Sequence, residues 1–174
     1  AKWVASEPAD LPDPERLRDR IASISPTSSA WGSYRVGYAH YVEGRRHLSR
    51  GFEECRGDNW DVAQTTFEDA CTEFGQATDV FMKGQGLATG DLTELNDRGR
   101  ERSRHLGEAA EWLAGFAMAA AKGDEERKRR HRTEAARVLD GLDGDGLPSP
   151  ETARERALAD ERSDADGATT VNGR

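Results

Sequence analysis

The stretch Gly51-Phe52-Glu53-Glu54-Cys55-Arg56-Gly57-Asp58-Asn59-Trp60-Asp61-Val62-Ala63, running on to Phe67 and Ala70, decides the fold of this chain. Counted from Gly51, an aromatic, an alanine, a phenylalanine and a second alanine stand at offsets of nine, twelve, sixteen and nineteen. Gly57-Asp58 between them is a helix stop followed by a cap. A small residue, a turn and then an apolar stripe in steps of three and four describe two helices packed antiparallel. The pattern fixes the architecture as helical; it names no reaction.

Outward from this hairpin, the first helix reads from about Ser33 to Arg56. Tyr34, Tyr38, Tyr41, Val42, Leu48, Phe52 and Cys55 share a stripe, and Arg45, Arg46 and Arg50 lie mostly off it. The second helix continues Trp60, Ala63, Phe67, Ala70, Cys71, Phe74, Ala77 and Phe81, and Gly84, Gly86 and Gly90 end it in a flexible connection. A third helix begins at Thr89 or Asp91 and ends near Lys122-Gly123. Its face is Leu92, Leu95, Leu106, Ala109, Leu113, Phe116, Ala117 and Ala120, interrupted by Arg98 and Arg102. A fourth runs from Asp124 to about Leu142, apolar in its second half at Ala135, Val138, Leu139 and Leu142.

Flanking regions divide from this helical domain by composition. Residues 1–31 are a Pro/Ser-punctuated arm with one short helix, capped by Asp13, started by Pro14 and stopped at Ser25-Pro26. Leu17, Ile21 and Ile24 give it a face, and Trp3 reads as a packing peg. Residues 32–142 form the helical domain. Residues 143–174 read as a polar, largely disordered tail in which Ser149-Pro150-Glu151 caps one more short helix to about Arg162.

Composition sets the limits. At 174 residues the chain suits one domain. Charged residues make up 33% and the net charge is −8, which argues against nucleic acid as the main partner, since phosphate binding needs concentrated positive potential. The cations are mostly Arg and isoleucine is nearly missing, a bias that fits a GC-rich genome and a salt-adapted, acidic surface. No apolar run approaches the roughly 20 residues of a membrane span. The cytoplasm is therefore the expected compartment; tethering by a membrane segment ahead of Ala1 is the alternative, and removal of an initiator Met would give the same first residue.

The run at 51–70 resembles the tetratricopeptide repeat, a 34-residue helix–turn–helix unit. Gly51, Trp60, Ala63, Phe67 and Ala70 match that repeat in order and spacing, with one repeat over about residues 44–77. His47, Arg50, Glu54 and Gly75 stand where the repeat has Trp, Leu, Tyr and Pro. A degenerate second hairpin echoes the first: Val42, Leu48 and Gly51-Phe52 recur 64 residues on as Leu106, Trp112 and Gly115-Phe116, and Gly57-Asp58 recurs as Gly123-Asp124. The resemblance implies a module that holds other proteins.

Chemistry-bearing constellations are thin. His40-x-x-Glu43 and His105-x-x-Glu108 are the reverse of the Glu-x-x-His order of di-iron bundles. Cys55 and Cys71 lie roughly 12–15 Å apart along the helix axes, beyond disulfide reach. Asp143-Gly144-Asp145-Gly146 lacks the first and twelfth ligands of a calcium loop, where Gly141 and Thr152 stand. The basic run Arg127–Arg132 is flanked by Asp124-Glu125-Glu126 and Glu134 and reads as a solvated face with pairs such as Glu126–Arg130. No Ser–His–Asp spacing, P-loop or Rossmann pattern occurs, so no catalytic, metal or cofactor-binding residue is assigned.

The expected fold is all-α, with four main helices in two antiparallel αα-hairpins, tetratricopeptide-like or a compact bundle. The expected function is a non-catalytic protein–protein interaction or scaffold module. Candidate partner-binding residues are Tyr34, Tyr38, Tyr41 and Arg45, where aromatic and Arg side chains supply binding energy, with Arg98 and Arg102. These two interrupt a stripe that should be buried: either that stretch is exposed, or they pair with acids such as Asp69, Glu73 or Asp79 on a neighbouring helix. A self-associating helical structural protein is the alternative, and a helical-bundle enzyme or metal carrier the third reading.

Overall fold

The computed structural model describes residues 14–142 and 146–155, with side chains from residue 28 onward. Trp3, the face at Leu17, Ile21 and Ile24, the calcium-like Asp143-Gly144-Asp145 and residues 156–174 lie outside that description. Four long helices follow one another: α1 (Pro14–Arg56), α2 (Trp60–Gln85), α3 (Asp91–Ala121) and α4 (Glu125–Asp140). A further helical turn spans 150–155, and there is no strand among the described residues.

α1 is 43 residues long and passes through Pro26, where the sequence pattern places a stop. A proline inside a helix removes one rung of the hydrogen-bond ladder and crowds the carbonyl four residues back, which is why the sequence pattern reads it as a stop; here the helix continues through it.

The hairpins are antiparallel because of a recurring pair. Gly37, Gly44 and Gly51 of α1 meet Phe81, Phe74 and Phe67 of α2, one sequence rising by seven as the other falls by seven. A Cβ on these glycines would lie 2.9, 2.8 and 2.5 Å from the ring, so each ring rests on bare backbone. Between the rings, α2 carries Ala63, Ala70, Ala77 and Gly84, all buried. A seven-residue repeat of large and small residues is the geometry of helices in a shallow left-handed coil. Fully burying each phenylalanine contributes about 1.5–3 kcal/mol.

α3 returns along the other side of α2. Phe81 touches Gly99 as closely as it touches Gly37, at 2.8 Å from a would-be Cβ, so α2 lies between α1 and α3. The buried stripe of α3 is Leu92, Asn96, Gly99, Ser103, Leu106, Ala110, Leu113 and Ala117, again in steps of four and three. It is therefore continuous where the hydrophobic pattern has a gap. Small or polar residues fill it there, and Arg98 and Arg102 stand at its edge. The Asn96 amide donates to the Leu92 carbonyl at 2.8 Å, whereas Asn96 Oδ1 and Ser103 Oγ are buried without a partner.

α4 closes the second hairpin after Gly123, whose φ of 67° gives the left-handed turn, and Asp124 caps it by accepting the Arg127 N–H. Ala135 and Val138 are buried, and Arg137 reaches back to Glu108 of α3. At the start of the basic run Asp124 pairs with Arg127 and Glu125 with Lys128.

Beyond α4, residues 146–155 fold back onto the bundle. Leu147 and Ala153 join the buried core of α1–α3, so this part of the polar tail is packed structure. Ser149 caps the turn that follows it, accepting the Thr152 N–H at 3.2 Å.

Candidate functional site

Tyr34, Tyr38 and Tyr41 lie in steps of four and three along α1, which puts them on one face above the rings of α2. Tyr34 rests against Phe81 with ring centroids 5.6 Å apart, and Tyr41 against Phe74 at 6.2 Å. Along α1 itself, Trp31, Tyr34, Tyr38 and Tyr41 touch in sequence, centroid to centroid at 6.1, 6.4 and 6.1 Å. The result is an aromatic ladder about three turns long.

The arginines gather on the same face. Arg102 Nε of α3 donates to the Tyr41 hydroxyl at 3.2 Å, and the Arg45 guanidinium lies 5.9 Å from the Tyr41 ring centroid. Arg98 is close enough to Tyr34 to oppose the rise of its phenol pKa. Burial dominates, and with the charge repulsion of the Tyr38 and Tyr41 phenolates it pushes Tyr34 well above the usual tyrosine range. All six residues singled out in the sequence therefore meet on one face between α1 and α3. They are not equally open: Tyr34 and Tyr41 are buried, Tyr38 and Arg102 half-buried, and Arg45 and Arg98 exposed.

The acids named as partners for the arginines lie elsewhere. Asp69 and Asp79 point to solvent on α2, and Glu73 Oε2 lies 2.7 Å from Nδ1 of His40. His47 faces Glu43 at 3.9 Å, and His105 contacts Arg104. Among the described residues no three His, Cys, Asp or Glu side chains converge in a way that could hold a metal ion. Cys55 and Cys71 are free thiols, each raised in pKa by burial; Glu111 adds to the rise at Cys71.

What covers Tyr34 and Tyr41 is the chain itself. The Tyr34 hydroxyl donates to the Pro148 carbonyl at 2.8 Å, and Leu147 is buried beside it. Gly146 lies against Arg45 and the Tyr41 hydroxyl, 3.3 and 3.6 Å from a would-be Cβ. Sequence reasoning did not find this contact, because one leucine and one alanine in a polar stretch make no periodic signal. Two prolines hold the clue: Leu147 and Ser149 each precede one, which biases both toward extended backbone.

A cavity of about 200 Å³ adjoins Leu147, lined also by Arg98, Glu101, Arg102 and His105. A larger open recess of about 700 Å³ lies between α2, α3 and α4, with Cys71, Trp112, Met118 and His131 among its walls. Comparisons with protein-family models, curated proteins and solved structures find no match for this chain.

Proposed function

We propose that this chain is a non-catalytic protein–protein interaction or scaffold module of tetratricopeptide-like helical type, and that it docks its partner on the tyrosine–arginine face between α1 and α3. The observation that carries the reading is the peptide segment seated there, its carbonyl on the Tyr34 hydroxyl. A face that holds one extended segment has the aromatic ladder and the arginine rim that hot spots use. Gly51 and Phe67, two of the residues that carry the likeness to the repeat, meet in a close contact of the kind any tight αα-hairpin uses. No helix among the described residues is long and apolar enough to cross a membrane, and a cytoplasmic place belongs to the same proposal.

Affinity capture with the whole chain tests this. Tyr38→Ala and Arg45→Glu, at accessible positions, are expected to lose a stoichiometric partner while helicity stays unchanged. A partner retained by both variants would place docking elsewhere.

Self-association has its own support. Val36, Met82 and Leu87 are exposed apolar residues, the first two beside the Gly37–Phe81 contact. A mass that rises with concentration, and that Met82→Glu returns to the monomer, would favour this reading.

A further inference from the structure

We propose that the tyrosine–arginine face is a seat for a proline-punctuated extended peptide with acidic flanks, supplied by a partner protein, and that residues 146–155 are its built-in competitor. The inference rests on the interaction-module reading and adds the chemistry of the ligand and its regulation.

Three observations carry it. The first is the match between seat and occupant. The occupant reads Gly146-Leu147-Pro148-Ser149-Pro150; residues 146–149 have no regular secondary structure, and the prolines after Leu147 and Ser149 bias both toward extended backbone. Prolines pre-order such a backbone, and the usual seat for it is a run of aromatic rings with a hydroxyl or indole donor for a ligand carbonyl. Trp31, Tyr34, Tyr38 and Tyr41 are that run, and Tyr34 supplies the donor.

The second is the kind of attachment. Among the described residues the segment is held by the buried Leu147 and Ala153, by the half-buried Pro148, Ser149, Pro150 and Thr152, by the Tyr34–Pro148 hydrogen bond and by the contact of Gly146 with Arg45. It contributes no residue to the heptad stripes that join α1, α2 and α3. Its departure would uncover Tyr34 and Tyr41 and leave the glycine–phenylalanine pairs in place.

The third is room and charge. An open recess of about 200 Å³ adjoins Leu147, with Arg98, Glu101, Arg102 and His105 on its walls. Arg45, Arg98 and Arg102 stand around the seat, and the resident segment is preceded in sequence by Asp143-Gly144-Asp145. A partner peptide with carboxylates ahead of its Leu-Pro unit has the complementary charge.

The resident segment is tethered, so it competes at an effective concentration on the order of millimolar. The test is fluorescence anisotropy of a labelled peptide of residues 146–155, titrated with the whole chain, with Leu147→Asp and with Leu147→Asp/Tyr34→Phe, helicity being followed by circular dichroism. The Leu147→Asp chain is expected to bind the peptide at least tenfold more tightly than the unaltered chain. Adding Tyr34→Phe should weaken it about fivefold, as should alanines in place of both prolines of the peptide. Equal affinity for the whole chain and Leu147→Asp, or no binding by a helical Leu147→Asp, overturns the proposal.

Should Leu147→Asp lose helicity, the second arm is the whole chain with a protease site in place of residues 143–145, cut after folding. Exchange of the freed segment for labelled peptide supports a displaceable occupant; unfolding on cutting shows a core element and overturns it. A dimer of the unaltered chain that Leu147→Asp dissolves would mean that the segment passes between copies, and would overturn the assignment to a foreign partner. Peptide exchange needs no outside protein. Exchange combined with failed capture would therefore remove the interaction-module reading and the foreign partner with it, whereas failed exchange with successful capture would overturn this proposal and leave that reading standing.

Discussion

Gly44 and Phe74 touch so closely that a single methyl on the glycine would sit 2.8 Å from the ring. Glycine in mid-helix ordinarily costs about 0.5–1 kcal/mol relative to alanine. Here the close approach of α1 to α2 outweighs that cost, because a Cβ would force the ring or the helix aside.

Gly44→Ala is accordingly expected to destabilise the protein by up to about 2 kcal/mol, the roughly 1–3 kcal/mol of overpacking less about 1 kcal/mol gained in helix propensity. Gly75 is the control. It is also mid-helix, is exposed, and has nothing within 4 Å of a would-be Cβ. Gly75→Ala should stabilise by about 0.5–1 kcal/mol. Urea unfolding of the two variants checks the pair, and the same sign for both would refute the contact argument.

Ser103 is fully buried and its hydroxyl has no partner. Ser103→Ala removes a desolvated polar atom at nearly constant volume and favours the helix. A gain of about 1 kcal/mol is expected, read as a higher Tm.

Alkaline stability should depend on Tyr34. Its folded pKa lies above the reference value of 10.0 because burial disfavours the phenolate. The stability it contributes is thus fully present below about pH 10 and is lost as pH rises further. Tyr34→Phe should flatten the fall in Tm between pH 10 and 12 while lowering Tm modestly at neutral pH, through the lost bond to Pro148. Parallel alkaline limbs would contradict this.

Cys71 is held protonated by burial first and by Glu111 second. Glu111→Gln should speed its alkylation at pH 8 by about twofold, the effect of one exposed charge, and leave Cys55 unchanged. Mass-spectrometric rates at each thiol decide it.

The part of this fold legible in the sequence was the part written in large residues. Trp60, Phe67, Phe74 and Phe81 with their intervening alanines announce α2, and the turn at Gly57 announces the hairpin. The partner stripe on α1 is hard to read because half of it is Gly37, Gly44 and Gly51, which hydrophobicity scales count as nothing. For the same reason α3 shows a gap at Arg98 and Arg102, although Asn96, Gly99 and Ser103 are its buried positions there. The six residues of the tyrosine–arginine face could be named because aromatics and arginines stand out one by one. Their cover could not, since it depends on Leu147 and Ala153 returning across more than a hundred residues.

The unpartnered Oδ1 of Asn96 also has a meaning for alignment. It approaches α2 at Gly84 so closely that a Cβ there would lie only about a bond length and a half away. Every other small position of the α2 stripe, Ala63, Ala70 and Ala77, carries that Cβ. A coil with a seven-residue repeat can in general slip by one repeat, about 10.5 Å, and find equivalent partners again. In this chain such a slip would drive Asn96 against Ala77. The pair Asn96–Gly84 acts as a key in a keyway: it opposes the slip that would carry α3 further along α2, and so helps set the height at which the arginines of α3 arrive opposite the tyrosines of α1.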